Sequence, residues 1–236
     1  MTTDVGLLAT TAASIGVIHT LLGPDHYVPF AAMARARGWS SNRTLWITAL
    51  CGLGHVTGSI VLGAVGLAIG VSLDRLGWIE ALRGDVAAWL LTGFGLAYAV
   101  WGLRRAWRNR PHSHAHHHND GTLHVHEHRH HDGHLHVHDT SAASITPWAL
   151  FVIFAFGPCE PLIPVLMYPA SQADWWAVTM VAGIFAVATI ATMLAAVMLA
   201  RRGLAAIDIA PLARYSHALA GGAIALCGLG ILALGL

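Results

Sequence analysis

The chain has 236 residues, of which 56% are hydrophobic and only 11% are charged, and its mean hydropathy is +0.59. This composition excludes an ordinary soluble domain and predicts an all-α membrane protein whose main partner is the lipid bilayer. The formal net charge of +1 points to no particular partner, and we expect neither nucleic-acid binding nor enzymatic activity.

Six apolar stretches are long enough to cross a bilayer as helices. They cover residues 5–22 (with a short continuation to 36), 45–70, 86–107, 146–167, 175–200 and 212–236. We expect six transmembrane helices arranged as two inverted three-helix repeats. The first repeat is residues 1–110, the second is residues 146–236, and a histidine-rich loop at 111–145 joins them.

The basic residues predict the orientation of these spans. All 13 are arginines, and outside the histidine-rich loop ten of them flank the same ends of the spans, against Arg75 and Arg83 at the other ends. Positively charged residues mark the cytoplasmic side. We therefore expect both termini outside and the loop in the cytoplasm, with the protein in the inner (plasma) membrane of a bacterium.

Spans 1 and 4 are each interrupted by a Gly-Pro pair followed by two potential ligands. The sequences are Gly23-Pro24-Asp25-His26 and Gly157-Pro158-Cys159-Glu160. Proline removes a backbone donor and breaks a helix, and such a break is tolerated at membrane depth only where protein or a water-filled cavity covers it. Broken helices in both halves of a chain predict a transporter's binding site between inverted repeats.

Ionisable side chains inside spans are costly and indicate a functional site. Imidazole, thiolate and carboxylate groups are all ligands for a borderline divalent metal. The candidate metal ligands within the spans are His19, Asp25, His26, His55, Cys159 and Glu160.

Several of these candidates have alternative roles. His19 and His26 are about 10 Å apart along a straight helix, so they share an ion only if the Gly-Pro break shortens that distance. Asp25 is either a ligand, a helix cap or a group that orients a metal-bound imidazole. We interpret Ser59 as a helix-packing residue and do not expect His217 to be a ligand.

The pattern His19-x5-Asp25-His26, together with Leu53-Gly54-His55, resembles the nickel/cobalt transporter superfamily, in particular its efflux and urease-accessory-type branch within a larger lysine-exporter-like grouping. The resemblance implies that the first-span motif selects and carries the metal. It implies a secondary transporter of a divalent cation, Ni²⁺ or Co²⁺ first and Zn²⁺ or copper next, with no permanent cofactor.

The segment from 112 to 138 holds 13 of the 17 histidines. Its metal-binding candidates are His112, His114, His116, His117, His118, His124, His126, His128, His130, His131, His134, His136 and His138. The stretch is too polar to fold alone, so we expect disorder without metal. We expect it to capture or sense cytoplasmic metal, with a metallochaperone or a second copy of the chain as further partners.

Three alternative functions can be compared with metal transport. Pro158-Cys159 in a broken span is similar to the membrane thiol carriers of cytochrome c biogenesis, which have a cysteine in each half, whereas span 1 has Asp25 at that place and Cys51 lies in span 2. A second alternative is an accessory or sensory protein that binds metal without transport. Export of a sulfur oxyanion or organic anion would require basic groups at the midplane, and we find none in the predicted spans.

Overall fold

The computed structural model describes residues 2–108, 112–117, 123–128, 140–157, 159, 161–207 and 210–234. The helices are α1 (Thr2–Leu22), α2 (Val28–Ala36), α3 (Ser41–Ala68), α4 (Leu73–Arg108), α5 (Thr140–Phe156), α6 (Leu162–Ser171), α7 (Trp175–Ala206) and α8 (Ser216–Leu234). Two 3-10 turns, Pro24–His26 and Ala210–Tyr215, precede α2 and α8. Two strands, β1 (His112–His117) and β2 (Leu123–His128), lie between α4 and α5.

The chain is an integral membrane protein. Five of the described helices are long and apolar enough to cross a bilayer: Val5–Leu22, Ser41–Gly66, Asp74–Arg108, Trp175–Ala206 and Leu212–Leu234. The fourth predicted span is instead divided into two shorter apolar helices, Thr146–Phe156 and Leu162–Ser171. The third begins earlier than predicted, so Glu80 and Arg83 belong to a helix and not to a loop.

Both predicted helix breaks are present. α1 ends at Leu22, and Pro24 starts a 3-10 turn because its ring fixes φ and it needs no hydrogen-bond acceptor at a helix start. α5 ends at Phe156, and Pro161 is the N-cap of α6. Each break therefore separates a helix from a second, shorter helix that continues beyond it.

The two predicted halves interlock in the described part of the chain. α1 packs mainly on α7, α3 packs on α5, and α4 runs along α8. One buried apolar cluster includes Phe30, Phe154 and Met193, and a second includes Cys159 and Phe185. Because each half supplies helices to the other, the apolar cores lie between the halves and not within them.

The described part of the histidine-rich loop is a two-stranded antiparallel pair. β1 pairs with β2 in a register that sets His112 opposite His128 and His116 opposite His124. These strands add a small β element to a fold that was expected to be purely helical. The expected disorder of the whole loop stays a prediction, since residues 118–122 and 129–139 lie outside the described residues.

Candidate functional site

Three histidines from the first helix, the first break and α3 meet inside the helix bundle. One ring nitrogen from each of His19, His26 and His55 lies within 4.8 Å of the other two. The ring centroids of His19 and His26 are 4.8 Å apart, and those of His26 and His55 are 5.0 Å apart. The break thus brings His19 and His26 closer together than a straight helix would, which is the condition stated above for sharing one ion.

Hydrogen bonds at the Nδ1 atoms set the orientation of the His26 and His55 rings. His26 Nδ1 donates to the carbonyl oxygen of Gly23 and to Asp25 Oδ1, both at 3.1 Å. His55 Nδ1 donates to the carbonyl oxygen of Phe154 at 3.3 Å. His26 and His55 are 2% and 1% exposed, so little water competes for these contacts. Asp25 therefore orients His26, which was one of the roles considered for it.

The glycine of each Gly-Pro break leaves room for one of these rings. A Cβ atom on Gly23 would lie 2.5 Å from His26 Nδ1, and a Cβ atom on Gly157 would lie 2.9 Å from His55 Nδ1. Both distances are shorter than real Cβ contacts allow. The glycines are thus needed for close packing against the imidazoles as well as for the helix breaks.

Cys159 lies in the second break beside His19. Its Sγ atom is 4.0 Å from His19 Nε2, and the residue is fully buried. Its backbone N–H donates to Ser59 Oγ at 3.1 Å and to Glu80 Oε2 at 3.2 Å. The thiol thus lies beside an imidazole nitrogen of α1.

An ion pair on α4 supports the second break. Arg83 Nη1 donates to Glu80 Oε1 at 2.5 Å, while Arg83 Nη2 donates to the carbonyl oxygens of Ala155 at 3.2 Å and Gly157 at 3.4 Å. Glu80 is completely buried. The guanidinium therefore satisfies carbonyls at the end of α5 that the break leaves without helical partners.

Sequence reasoning missed this network. Glu80 and Arg83 were assigned to a loop, and Ser59 was interpreted as a packing residue, whereas Ser59 Oγ donates to Glu80 Oε2 at 3.2 Å. The i,i+3 spacing of Glu80 and Arg83 was the sequence feature that could have predicted the ion pair. Placing the pair inside the membrane would also have required an earlier start for the third span.

A cavity of about 350 Å³ opens onto the three imidazoles. Its described walls include His19, His26 and His55 together with apolar side chains such as Leu91 and Ile231. Cys159 is not among these wall residues. A ligand in the cavity would therefore meet the imidazoles before it met the thiol.

The structure describes only some of the other predicted site residues. Glu160 lies outside the described residues, and so do His118, His130, His131, His134, His136 and His138. The remaining loop histidines lie on β1 and β2, and their role in metal capture stays a prediction. His217 is hydrogen-bonded to the Tyr98 hydroxyl at 2.7 Å, apart from the three-histidine group.

Comparison with known proteins gives one family. A family model described as the transmembrane region of cytochrome c biogenesis proteins matches residues 28–231. No curated protein and no solved structure matches the chain.

The family match corrects the main functional expectation. The resemblance to the nickel/cobalt transporter superfamily was wrong, and with it the expectation of nickel or cobalt transport. The family match supports the alternative based on Pro158-Cys159, a membrane thiol carrier, better than it supports metal transport. His19 and His26 precede the matched residues, whereas His55 and Cys159 lie within them.

Proposed function

We propose a thiol-redox function from the premise that this chain belongs to the family of cytochrome c biogenesis transmembrane regions. In this proposal the protein exchanges thiols and disulfides with partner proteins at the membrane, and Cys159 is the reacting thiol. The observation that carries it is the position of Cys159 in a helix break, with its sulfur 4.0 Å from His19 Nε2.

The geometry supports nucleophilic activation of this cysteine. A thiolate, and not a thiol, attacks a disulfide, so a nearby group must accept the proton. His19 Nε2 is suitably placed to do so. The backbone N–H of Cys159 is held by Ser59 and Glu80, which fixes the backbone from which the side chain extends.

The scheme uses one cysteine of this chain. All three cysteines are free, and Cys51 and Cys227 belong to a different apolar cluster from Cys159. Asp25 occupies the first break, where family members with a thiol in each half would have the second one. Electrons therefore pass through mixed disulfides with partners and not through an internal disulfide.

The exchange is balanced as follows. The Cys159 thiolate attacks a disulfide of an acceptor protein, which forms a mixed disulfide and releases one acceptor thiolate. A thiolate of a dithiol donor protein then attacks the Cys159 sulfur, which releases the second acceptor thiolate. The other donor thiolate attacks the new mixed disulfide, so the donor leaves oxidised and Cys159 is again a thiolate. Two electrons and two protons move from donor to acceptor.

We also propose that α5 and α6 together form a sixth span and that the two halves are inverted repeats. The packing of α4 on α8 supports this arrangement. A Cβ atom on Gly95 would meet the backbone of Ala225, and a Cβ atom on Gly221 would meet the backbone of Ala99. The two contacts are reciprocal, with the same spacing on both helices, as a two-fold relation between the halves requires.

Reaction of the purified, reduced protein with an aromatic disulfide tests the thiol assignment. The wild-type chain should release aromatic thiolate as it forms the mixed disulfide at Cys159. Cys159→Ser should lose this reaction, whereas Cys51→Ser and Cys227→Ser, which remove the other two buried thiols, should keep it. His19→Gln should slow the reaction on the order of 100-fold, because it removes the proton acceptor.

His217→Gln is the matched control for His19→Gln, since it removes a histidine that contacts Tyr98 and not Cys159. A Cys159→Ser protein that releases aromatic thiolate at the wild-type rate would refute the assignment. An unchanged rate in His19→Gln would remove His19 from the mechanism.

A further inference from the structure

In their neutral forms, the buried rings of His26 and His55 point the lone pairs of their Nε2 atoms at each other. His26 Nδ1 and His55 Nδ1 both face oxygen acceptors, so each carries its ring proton. The opposite nitrogens, His26 Nε2 and His55 Nε2, are 3.3 Å apart. In neutral rings both of these atoms are acceptors, and buried acceptors in contact are unfavourable unless a cation lies between them.

The spacing of these nitrogens matches one edge of a metal coordination tetrahedron. Two imidazole nitrogens, each bound to one Zn²⁺ at about 2.05 Å and separated by the tetrahedral angle, lie about 3.3 Å apart. The third imidazole, His19, has a ring nitrogen within 4.8 Å of the other two. A closer approach of this ring would complete a set of three ligands.

The surroundings have the features of a built metal site. Asp25 and two backbone carbonyls hold the outer nitrogens of His26 and His55, as orienting partners do in metal centres. The cavity of about 350 Å³ reaches the same three rings and leaves space for a fourth ligand. Three histidines with one open position are typical of a reactive zinc centre.

We propose that His19, His26 and His55 bind one divalent ion of the zinc type, with the fourth position open to the cavity. The ion is resident, which separates this site from the metal transport excluded above. The proposal does not rest on the thiol-exchange function, and two of its three ligands precede the residues that match the family. An imidazole bound to the ion has no lone pair left for the Cys159 proton, so His19 serves either the ion or the thiol at any one time.

The test measures how many metal ions bind to each full-length chain. In the protein used, the thirteen histidines of 112–138 are replaced by asparagine, so that this segment binds no metal. The probes are Zn²⁺, measured by elemental analysis after desalting, and Co²⁺, whose visible absorption reports tetrahedral coordination. We expect one ion per chain, a tetrahedral Co²⁺ spectrum and a higher Tm with Zn²⁺. His26→Gln and His55→Gln should each abolish all three.

The control is His217→Gln, which should still bind one ion. Asp25→Asn should weaken binding about 10-fold to 100-fold, because it removes an orienting partner of His26. Each variant is first shown to be folded by its metal-free Tm. An ion-free wild type, or equal binding by folded His26→Gln, would overturn the proposal and would indicate that a proton bridges the two rings.

The outcomes are distinguishable from those of the thiol assay. A protein with all wild-type site residues that binds no ion but still forms the mixed disulfide would refute only the metal site. Loss of mixed-disulfide formation at Cys159 with one ion still bound would refute only the thiol-redox function.

Discussion

Glu80 and Arg83 are the ionisable pair on which the second helix break depends. Glu80 is completely buried and contacts Ser59 and the backbone N–H of Cys159, while Arg83 contacts Glu80 and two carbonyls of the α5 end. Each partner compensates the other's charge in a region of low polarity. The pair thus determines where the Cys159 backbone lies.

Replacing Arg83 with glutamine should strongly destabilise the protein, because Glu80 would be left as an uncompensated buried charge. We expect a loss of about 3 kcal/mol in the free energy of unfolding, measured as a lower Tm in detergent. Arg75→Gln, which removes an exposed arginine from the same helix, should have little effect.

The double variant Glu80→Gln/Arg83→Gln distinguishes a charge effect from lost packing. It should recover part of the stability lost in Arg83→Gln, because no buried charge remains. A double variant less stable than Arg83→Gln would contradict the argument.

At the scale of elements, small residues allow α4 and α8 to pack with their backbones in contact. The ideal Cβ positions of Gly95 and Gly221 fall against backbone atoms of Ala225 and Ala99. In a bilayer the lipid chains are as apolar as the helix surfaces, so close van der Waals contact, and not the hydrophobic effect, stabilises helix pairs. The two glycines therefore allow this close approach, as do Gly102 and Gly228 at the same interface.

Gly95→Ala and Gly221→Ala should each force the two helices apart. We expect a loss of about 1–3 kcal/mol in stability, seen as a lower Tm. Gly93→Ala and Gly222→Ala are matched controls, because a Cβ atom at either position meets nothing within 4 Å. Equal effects at all four positions would show that the contact is not the cause.

At the scale of the whole molecule, the distribution of arginines is the basis of the expected orientation, which stays a prediction. Arg83 is paired with Glu80 inside the bundle, so it no longer counts among the charges at the outer ends of the spans. Arg75 is then the only arginine of the described residues left on that side. In the expected six-span arrangement the remaining arginines outside the histidine-rich loop flank the ends next to that loop, which is the distribution expected for a cytoplasmic face.

Single-cysteine labelling tests this orientation. In a background with the three native cysteines replaced by serine, Ser113→Cys should react with a membrane-impermeant maleimide only in inverted vesicles. Thr3→Cys should react only in right-side-out vesicles, because both termini are expected outside. Labelling of the two positions from the same side would contradict the six-span arrangement.

The sequence by itself determined the membrane character of the protein and both helix breaks. Apolar length and Gly-Pro pairs are local properties, and their consequences do not depend on the packing partner. It also named six candidate site residues, His19, Asp25, His26, His55, Cys159 and Glu160, whose function stays a prediction. It assigned the wrong family, because the histidine pattern was weighed above the single cysteine motif.

Only the tertiary structure decided which of these groups touch. His26 and His55 are 29 residues apart and lie on different elements, and the meeting of their Nε2 atoms depends on how α3 packs against the first break. The Glu80–Arg83 pair and the division of the fourth span depend likewise on neighbouring helices. Periodicity tells which face of a helix is apolar, but several partners can cover such a face equally well, and only packing of the whole bundle selects one.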